Sequence, residues 1–326
     1  MSALEQSRLS QADVDLIQKT AERLRGSIQQ VIVGNDHVVR LALVALLCEG
    51  HILLEDVPGT GKTTLARSIA ASLGCSFRRI QFTPDLMPSD ITGINYYNQK
   101  LGEFAFREGP LVAQVVLADE INRATPRTQA ALLEAMEERQ LTVEGVTTTL
   151  PRPFLVIATQ NPVELEGTFP LPEAQLDRFL LRLKLGYPDE DSEDMILSRF
   201  ESANPLEKLA PVIDADELVR LAAALRQLHV DPTVRRYAVQ IVRATREDAA
   251  FELGASPRAS LALFRTARAL AAVSGRDYVL PDDVKAMAPY VIPHRLILST
   301  QARLRGRGVD ELLDDILARV PVPIGD

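Results

Sequence analysis

Several residue types are scarce in this chain, and each shortage narrows the kind of protein it can be. Its 326 residues include no tryptophan, two cysteines and four histidines. Cys48 and Cys75 do not have metal-ligand spacing and are too few for a disulfide framework. The scattered histidines give little support to a transition-metal site. No apolar run approaches the ~18 residues that a membrane-spanning helix requires.

Basic residues are outnumbered by acidic ones, 36 to 44, which gives a net charge of −8 and a pI near 5.2. This balance argues against a surface built to bind nucleic acid, although a local basic channel is compatible with it. The first residues show no charged segment followed by an apolar one, as a secretion signal would. We therefore expect a cytoplasmic globular protein with no membrane span, for which nucleic acid is a disfavoured partner.

The most informative stretch is residues 55–64, Glu-Asp-Val-Pro-Gly-Thr-Gly-Lys-Thr-Thr, between an apolar run and a helix-like pattern. Glycines let a backbone wrap around phosphates, while N–H groups of the turn and of the helix start donate hydrogen bonds. Lys62 would reach the β- and γ-phosphates of ATP, and the Thr63 hydroxyl would ligate Mg²⁺. The stretch predicts ATP and Mg²⁺ as cofactors, held by Pro58, Gly59, Thr60, Gly61, Lys62, Thr63 and Thr64.

One position departs from the G-x-x-x-x-G-K-T pattern, because Asp56 stands where glycine is usual. Aspartate accepts turn and left-handed backbone conformations better than most residues, so we expect the departure to weaken the pattern only slightly. The alternative interpretation is a turn that contains Gly-Lys-Thr by chance.

Two acidic residues, Asp119 and Glu120, follow an apolar run at residues 115–118 that is typical of a buried strand. In an ATPase with a phosphate-binding loop, Asp119 would hold the Mg²⁺ coordination shell and Glu120 would deprotonate the attacking water. Two acids at a strand end are common by themselves, so this interpretation depends on the upstream loop. With Thr63, Asp119 forms the predicted metal site.

A further apolar run, residues 154–158, ends in Thr-Gln-Asn. The last of these, Asn161, could lie between Glu120 and the γ-phosphate and fix the position of the water. An asparagine at a strand end is otherwise usually a turn residue. Its role therefore depends on the other predicted groups.

The order of these patterns indicates two domains, for which the chain is long enough. Short apolar runs interleaved with helix-like segments predict a parallel sheet covered by helices on both faces. After residues 187–189, strand signals vanish and helical periodicity dominates. We expect an α/β domain over residues 1–188 and a smaller all-α domain over residues 189–326. The predicted strands lie within residues 77–82, 115–118, 154–158 and 179–185, and the predicted helices within 10–30, 38–49, 216–227, 233–246, 257–274 and 281–288.

These residues together resemble those of an AAA+ ATPase, and the sequence motifs around them are similar to those of the MoxR family. The resemblance covers about residues 31–294 and implies an AAA+ parallel-sheet core followed by a helical lid. It also makes Asp56 ordinary, since the family tends to carry aspartate there. The stretches that carry it are residues 55–63, 117–124 (Leu-Ala-Asp-Glu-Ile-Asn-Arg-Ala), 128–138, 158–162 (Ala-Thr-Gln-Asn-Pro), 171–179 (Leu-Pro-Glu-Ala-Gln-Leu-Asp-Arg-Phe), 254–259 and 293–295.

The resemblance implies roles for further residues. Asn161 is similar to the sensor-1 residue, and Arg178 resembles the arginine finger that reaches the nucleotide of a neighbouring subunit. Arg258 resembles the sensor-2 arginine, which contacts the γ-phosphate from the lid. Val33 and Gly34 resemble the segment that packs near adenine. Without this resemblance, the sequence would favour an ordinary surface arginine for Arg178 and a residue in the first turn of a helix for Arg258.

Two inserts are implied as well. Residues 93–107 resemble the helix-2 insert, and the alternation at residues 104–106 suits a strand. Residues 139–152 predict a β-hairpin with Glu144 and Gly145 at its turn. In related machines these elements project towards a central pore or a partner. Equally, their aromatic residues could close a small satellite core.

The resemblance implies a catalyst of ATP hydrolysis at the subunit interfaces of a homo-oligomeric ring, a hexamer in relatives. Such proteins remodel or mature client protein complexes, including metal or cofactor insertion, with von Willebrand factor A (VWA) domain partners. Three alternatives stay open. They are a magnesium-chelatase-like ATPase subunit, a DNA motor such as an MCM-like helicase or an enhancer-binding activator, and a nucleotide-binding scaffold without turnover.

Overall fold

The computed structural model describes residues 9–100, 102–161, 167–201 and 204–323. Leu101 of the first insert and Pro162 of the 158–162 motif lie outside the described residues. Packing divides the chain into two compact units. The α/β unit comprises Arg23–Leu171 and Leu183–Val219, and the helical unit comprises Met1–Glu22, Pro172–Arg182 and Arg220–Asp326.

The elements follow one another in an order typical of an α/β domain with a helical addition. They are α1 (Gln11–Gln29), α2 (Asp36–Leu47), β1 (Ile52–Glu55), α3 (Lys62–Ser72), β2 (Phe77–Gln81), α4 (Pro88–Thr92), β3 (Gly93–Asn98), β4 (Glu103–Glu108), β5 (Val115–Asp119), α5 (Pro126–Glu138), β6 (Gln140–Val143), β7 (Val146–Thr149), β8 (Leu155–Gln160), α6 (Glu173–Leu176), β9 (Leu181–Leu183), α7 (Glu190–Phe200), α8 (Ala215–Ala224), α9 (Pro232–Glu247), β10 (Phe251–Leu253), α10 (Pro257–Val273), α11 (Pro281–Val291), β11 (Ile297–Leu298), α12 (Thr300–Leu304) and α13 (Val309–Arg319).

A five-stranded sheet in the order β2-β5-β8-β1-β9 contains the four strands that frame the α/β unit, β2, β5, β8 and β1. Strands β2, β5, β8 and β1 pair in parallel, and the apolar side chains of β5 and β8 are buried. In this register Gln81 lies beside Asp119, and Glu55 beside Gln160. The polar residues that end these strands therefore meet at one edge of the sheet, which confirms the predicted α/β architecture.

Strand β2 differs from the buried strand that its position in the sequence suggested. Only Ile80 is buried along it, while Arg78, Arg79 and Gln81 are exposed. The reason is its place at the edge of the sheet, where polar side chains are tolerated and discourage pairing with other chains.

Two hairpins extend from the α/β unit. Strands β3 and β4 form the first, within the insert that the resemblance implied, and β6 and β7 form the second, which the sequence predicted. The turn of the second has positive φ at Glu144 (50°) and Gly145 (83°), the backbone that a two-residue hairpin turn prefers. The Asn95 amide donates to the Glu144 carboxylate at 2.9 Å and joins the two hairpins.

The base of the second hairpin is held by a buried carboxylate. Glu49, which follows α2, forms ion pairs with Arg139 and Arg152 on either side of β6 and β7. Burial alone would raise the pKa of Glu49, but the hydrogen bonds and charges of the two arginines outweigh it and lower that pKa. The ion pairs therefore fix where the hairpin leaves the unit.

Helices α9, α10, α11 and α13 pack around an apolar core in the helical unit. Its fully buried side chains include Tyr237, Leu263, Met287 and Ile316. The sequence predicted no strand here, yet β10 and β11 form a short antiparallel ribbon. Three and two residues are too few to show strand periodicity, which is why the prediction was wrong on this point.

The division of the chain by packing is finer than the single predicted boundary near Pro188. Residues Leu183–Val219 pack with the α/β unit, and Pro172–Arg182 pack with the helical unit. Functional domains over residues 1–188 and 189–326 stay a prediction.

Neither cysteine is in a disulfide, and burial, with Asp214 nearby, raises the pKa of the Cys75 thiol to about 11. The described residues contain no group of three or more histidine, cysteine or acidic side chains that could hold a metal ion. No helix in the described part of the chain combines the length and apolar character that crossing a membrane needs.

Candidate functional site

A cavity of about 390 Å³ lies in the α/β unit where the polar strand ends meet the start of α3. It contains most of the predicted site residues. Its lining consists of Asp56, Pro58, Gly59, Gly61, Lys62, Thr63, Thr64, Arg79, Gln81, Asp119, Glu120, Thr159, Gln160 and Asn161.

The glycine-bearing loop between β1 and α3 forms one wall. Gly59 and Gly61 have φ of 86° and 91°, a left-handed backbone that favours glycine. A Cβ atom added at either residue would meet no atom within 4 Å, so both open onto free space. Gly61 caps α3 without a side-chain hydrogen bond, so no side chain caps the N–H groups of the first turn, and residues 61–64 line the cavity. Such a wall suits a phosphate group.

Lys62, the first residue of α3, brings its ammonium back over this loop. Its Nζ donates to the carbonyl oxygens of Asp56 at 3.1 Å and of Val57 at 2.6 Å. The charge is thereby held at the cavity wall by neutral acceptors, which phosphate oxygens can replace with stronger, charge-assisted hydrogen bonds.

Asp56 is suited to the loop for a reason that the sequence did not reveal. Its φ is not positive, so tolerance of left-handed backbone is not what matters. The buried carboxylate accepts hydrogen bonds from the backbone N–H groups of Val57 at 2.8 Å, Leu185 at 2.8 Å and Gly186 at 2.7 Å. The side chain therefore ties the start of the loop to the segment after β9, which a glycine could not do.

Asp119, at the end of β5, has both carboxylate oxygens engaged. Thr159 donates to Oδ1 at 2.5 Å, and Arg79 donates to Oδ2 through Nη2 at 2.7 Å and Nε at 3.1 Å. Its side chain is 13 % exposed, so the carboxylate is largely buried but reachable from the cavity. Arg79 is about half exposed and can therefore move away from it.

Glu120 adopts an unusual backbone, with φ 56° and ψ 50°. A left-handed glutamate is strained, and such residues persist where the surrounding structure holds them and often where function needs them. Here the Glu120 N–H donates to the Thr159 hydroxyl at 2.8 Å, and the Gln81 amide donates to the Glu120 carboxylate at 2.7 Å. The carboxylate is thus fixed at the cavity beside Asp119.

The two amides that follow β8 complete the wall. Asn161 lines the cavity together with Glu120. Gln160 does so too, and its buried Oε1 has no hydrogen-bond partner among the described residues.

Three functional candidates were missed from the sequence: Arg79, Gln81 and Thr159. Each contacts Asp119 or Glu120 directly. A signal was present, because polar residues at the ends of neighbouring parallel strands meet at one edge of the sheet. The predicted strand over residues 77–82 carries two of them.

Other predicted residues are not in the lining. Thr60 donates to the Val57 carbonyl within the loop at 3.3 Å. Val33 is buried, and Gly34 has φ 76° with Ser192 2.6 Å from where its Cβ would be, so no larger residue fits there. Arg178 and Arg258 belong to the helical unit.

In the helical unit, Arg178 lies in a segment held by buried polar groups. Arg295 is paired with Asp177, and its pKa is lowered by burial despite that partner. His294 is fully buried, and burial together with the Arg295 charge lowers its pKa well below 6.5. His294 is therefore neutral at neutral pH.

The groups around the cavity fit a magnesium nucleotide. The Thr63 hydroxyl and the Asp119 carboxylate are oxygen ligands, which Mg²⁺ prefers. Lys62 and the N–H groups at the start of α3 are donors for phosphates.

Comparison with known proteins agrees with this chemistry. Residues 51–181 match the family described as "ATPase family associated with various cellular activities (AAA)", and residues 243–316 match the AAA lid domain. The chain is 43% identical to Chaperone MoxR1 of Mycobacterium tuberculosis over 93% of its own length and 82% of that protein. It is 32% identical to Protein MoxR of Methylorubrum extorquens over 93% of its length and 95% of that protein. The chain belongs to the MoxR family of AAA+ ATPases.

This MoxR-family protein is similar to further relatives along nearly its whole length. It is 50% identical to YeaC of Bacillus subtilis, over 91% of this chain and 93% of that one. A crystal structure from Cytophaga hutchinsonii, assigned as an ATPase, superposes with a TM-score of 0.90 at 36% identity, covering 96% of this chain and 98% of the other. The MoxR-family protein is thus an ATP-hydrolysing enzyme with an AAA+ core and a helical lid, and a scaffold without turnover is not supported.

Proposed function

We propose that this MoxR-type ATPase hydrolyses magnesium-bound ATP in the cavity of the α/β unit, at the interfaces of a homo-oligomeric ring. A hexamer is the ring we expect. One observation carries the proposal: Lys62, Asp119, Glu120 and Asn161, which are far apart in sequence, line a single cavity.

Each of these side chains has a part in the reaction. Lys62 and the first N–H groups of α3 bind the phosphates, and Thr63 and Asp119 would hold Mg²⁺. When bound, the ion would neutralise the charge that develops on the phosphate oxygens. Glu120 accepts a proton from the attacking water, and Asn161 orients that water. The left-handed backbone of Glu120 and its hydrogen bond from Gln81 keep the base aimed at the cavity.

Two arginines of the helical unit complete the mechanism in this proposal. Arg178 is the finger that acts on the nucleotide of a neighbouring subunit, and Arg258 senses the γ-phosphate of its own. A finger stabilises the charge of the transition state and is worth on the order of 10³–10⁵ in rate. Supplying it from a neighbour makes assembly a condition of turnover.

Mixing two inactive variants tests this arrangement. Arg178→Ala should bind ATP but retain only a small residual rate of hydrolysis, and Glu120→Gln should bind ATP without turning it over, for a different reason. In a mixed ring, an intact Glu120 can meet an intact Arg178 of the neighbour, so part of the activity should return. Arg243→Ala, an exposed arginine of the helical unit, is the control and should hydrolyse ATP normally. No recovery at any mixing ratio would contradict a finger supplied in trans.

The client is proposed to be a protein complex, matured with the help of a VWA-domain partner. The first hairpin supports a protein as the client, because its aromatic side chains are exposed rather than packed in a satellite core. Phe104 is 73% exposed and Tyr97 54%, and their rings meet edge to face at 5.4 Å between centroids. Two-stranded hairpins are marginally stable alone, so exposed aromatic residues on one suit contact with a partner.

Trapping the client tests this part. Glu120→Gln held in ATP should retain specific proteins, and the double variant with Phe104→Ser should lose them. Val146→Ser, which removes an exposed apolar residue from the second hairpin, is the control. Equal retention by the Phe104 variant would remove the hairpin from client binding.

A further inference from the structure

A set of hydrogen bonds in the helical unit, built on the buried Arg295, connects the segments that carry Arg178 and Arg258. We propose that Asp177, Ser256 and Arg295, here called the Asp177 network, couple these two arginines and so transmit the nucleotide state of one subunit to its neighbour. The proposal rests on the function proposed above and assigns three positioning residues to it.

The first link fixes the backbone on both sides of Arg178. The Arg295 guanidinium donates through Nε to the Asp177 carboxylate at 2.6 Å, and through Nη2 to the Asp177 carbonyl at 3.3 Å and the Phe179 carbonyl at 2.6 Å. The Arg295 side chain is only 3% exposed. Buried arginines in such fixed forks hold their partners in one geometry, so the position of Arg178 depends on Arg295.

The second link is a single hydroxyl. Ser256 is the N-cap of α10, and its Oγ accepts a hydrogen bond from the backbone N–H of Arg258 at 3.1 Å. The same Oγ donates to the second Asp177 oxygen at 3.0 Å. One hydroxyl therefore joins the first turn of α10, which carries Arg258, to the carboxylate that holds the Arg178 segment.

The connection matters because the two arginines would contact different nucleotides. Arg258 would respond to the γ-phosphate of its own subunit, while Arg178 would act on the nucleotide of the next. When phosphate binds or leaves, the first turn of α10 moves and changes the geometry of the Ser256–Asp177 hydrogen bond. This change shifts the position of the segment that carries Arg178. Hydrolysis in neighbouring subunits should therefore be cooperative.

Substitutions at Ser256 test the coupling. Ser256→Ala removes both hydrogen bonds, whereas Ser256→Asp keeps the helix cap but places a second carboxylate against Asp177. Both should bind ATP within about twofold of wild type, lower kcat about five- to tenfold or more, and bring the Hill coefficient for ATP towards one. Ser256→Thr keeps the hydroxyl and should restore both values. Ser299→Ala removes an N-cap hydroxyl elsewhere in the helical unit and should change neither.

A double variant at Ser256 and Arg178 tests whether Ser256 acts through Arg178. If Ser256 acts through Arg178, Ser256→Ala should add no further loss of single-turnover rate when Arg178 is already alanine. A full additional loss, or a Ser256→Asp variant with wild-type kcat and Hill coefficient, would overturn the coupling. These results differ from failure of the proposed function itself, in which Arg178→Ala and Glu120→Gln would not complement each other.

Discussion

The guanidinium of Arg79 donates to the carboxylate of Asp119 across two neighbouring strands, with Nη2 2.7 Å from Oδ2. The acid proposed to hold Mg²⁺ therefore already has a cationic partner, and Thr159 engages its other oxygen. In the proposed site a dication would need the same carboxylate, so Arg79 and Mg²⁺ would compete for it.

This competition predicts that Arg79→Gln lowers the Mg²⁺ concentration at which ATP hydrolysis is half-maximal. Because the arginine is about half exposed, the ion pair is worth about 0.5–1 kcal/mol, which corresponds to a shift of about two- to fivefold. Titration of the rate with Mg²⁺ at fixed ATP measures it. Arg78→Gln, an exposed neighbour on the same strand, should leave the midpoint unchanged. A higher Mg²⁺ requirement in the Arg79 variant would mean that this arginine helps to bind the metal nucleotide.

Replacing Asp56 by glycine, the usual residue at this position of the loop, should destabilise the protein. Asp56→Gly brings the chain to the G-x-x-x-x-G-K-T pattern but removes the acceptor for the N–H groups of Val57, Leu185 and Gly186. Leaving a buried donor unpaired costs about 1–3 kcal/mol, and the partly buried N–H groups of Val57 and Gly186 should cost less than that of Leu185. The unfolding free energy of the α/β unit should therefore fall by about 3 kcal/mol. Asp56→Asn, which keeps one acceptor oxygen, should lie in between. Urea denaturation checks the order, and a glycine variant as stable as wild type would contradict it.

The pH dependence of stability should contain a contribution from Glu49. The pKa of this carboxyl is lowered in the folded protein from 4.5, because Arg152 and Arg139 outweigh the effect of burial. The unfolded chain therefore binds a proton more readily. The ion pairs stabilise the fold above about pH 4.5, and the contribution is lost as pH falls through the lowered folded-state pKa.

Glu49→Gln should accordingly be less stable than wild type by about 2 kcal/mol at pH 7, with the difference shrinking below pH ~4.5. Thermal unfolding over a pH series measures the trend. Glu138→Gln, an exposed acid at the end of α5, provides the matched control. A difference that grows in acid would show that the arginines do not hold Glu49 ionised.

The parts of the site that could be predicted from sequence are those whose conformation depends on residues adjacent in the chain. Gly59, Gly61, Lys62 and Thr63 form one continuous turn, so their conformation follows from local rules. Asp119 could be placed because it ends a strand, and parallel strands end at a common edge.

Contacts between distant residues explain what could not be predicted. Asp56 is bound by Leu185 and Gly186, which are about 130 positions away in the chain. The hydroxyl of Ser256 donates a hydrogen bond to the Asp177 carboxylate, and no local sequence pattern predicts that contact. Likewise, packing rather than composition assigns residues Pro172–Arg182 to the helical unit.

Equilibrium binding of a fluorescent ATP analogue to Lys62→Ala is the most direct test of the nucleotide site. Loss of a charge-assisted donor to phosphate should weaken binding by about a hundredfold, while Lys184→Ala, an exposed lysine of the same unit, should bind as wild type does. If the Lys62 variant bound the analogue as tightly as wild type, the cavity described here would not be where the phosphates are held.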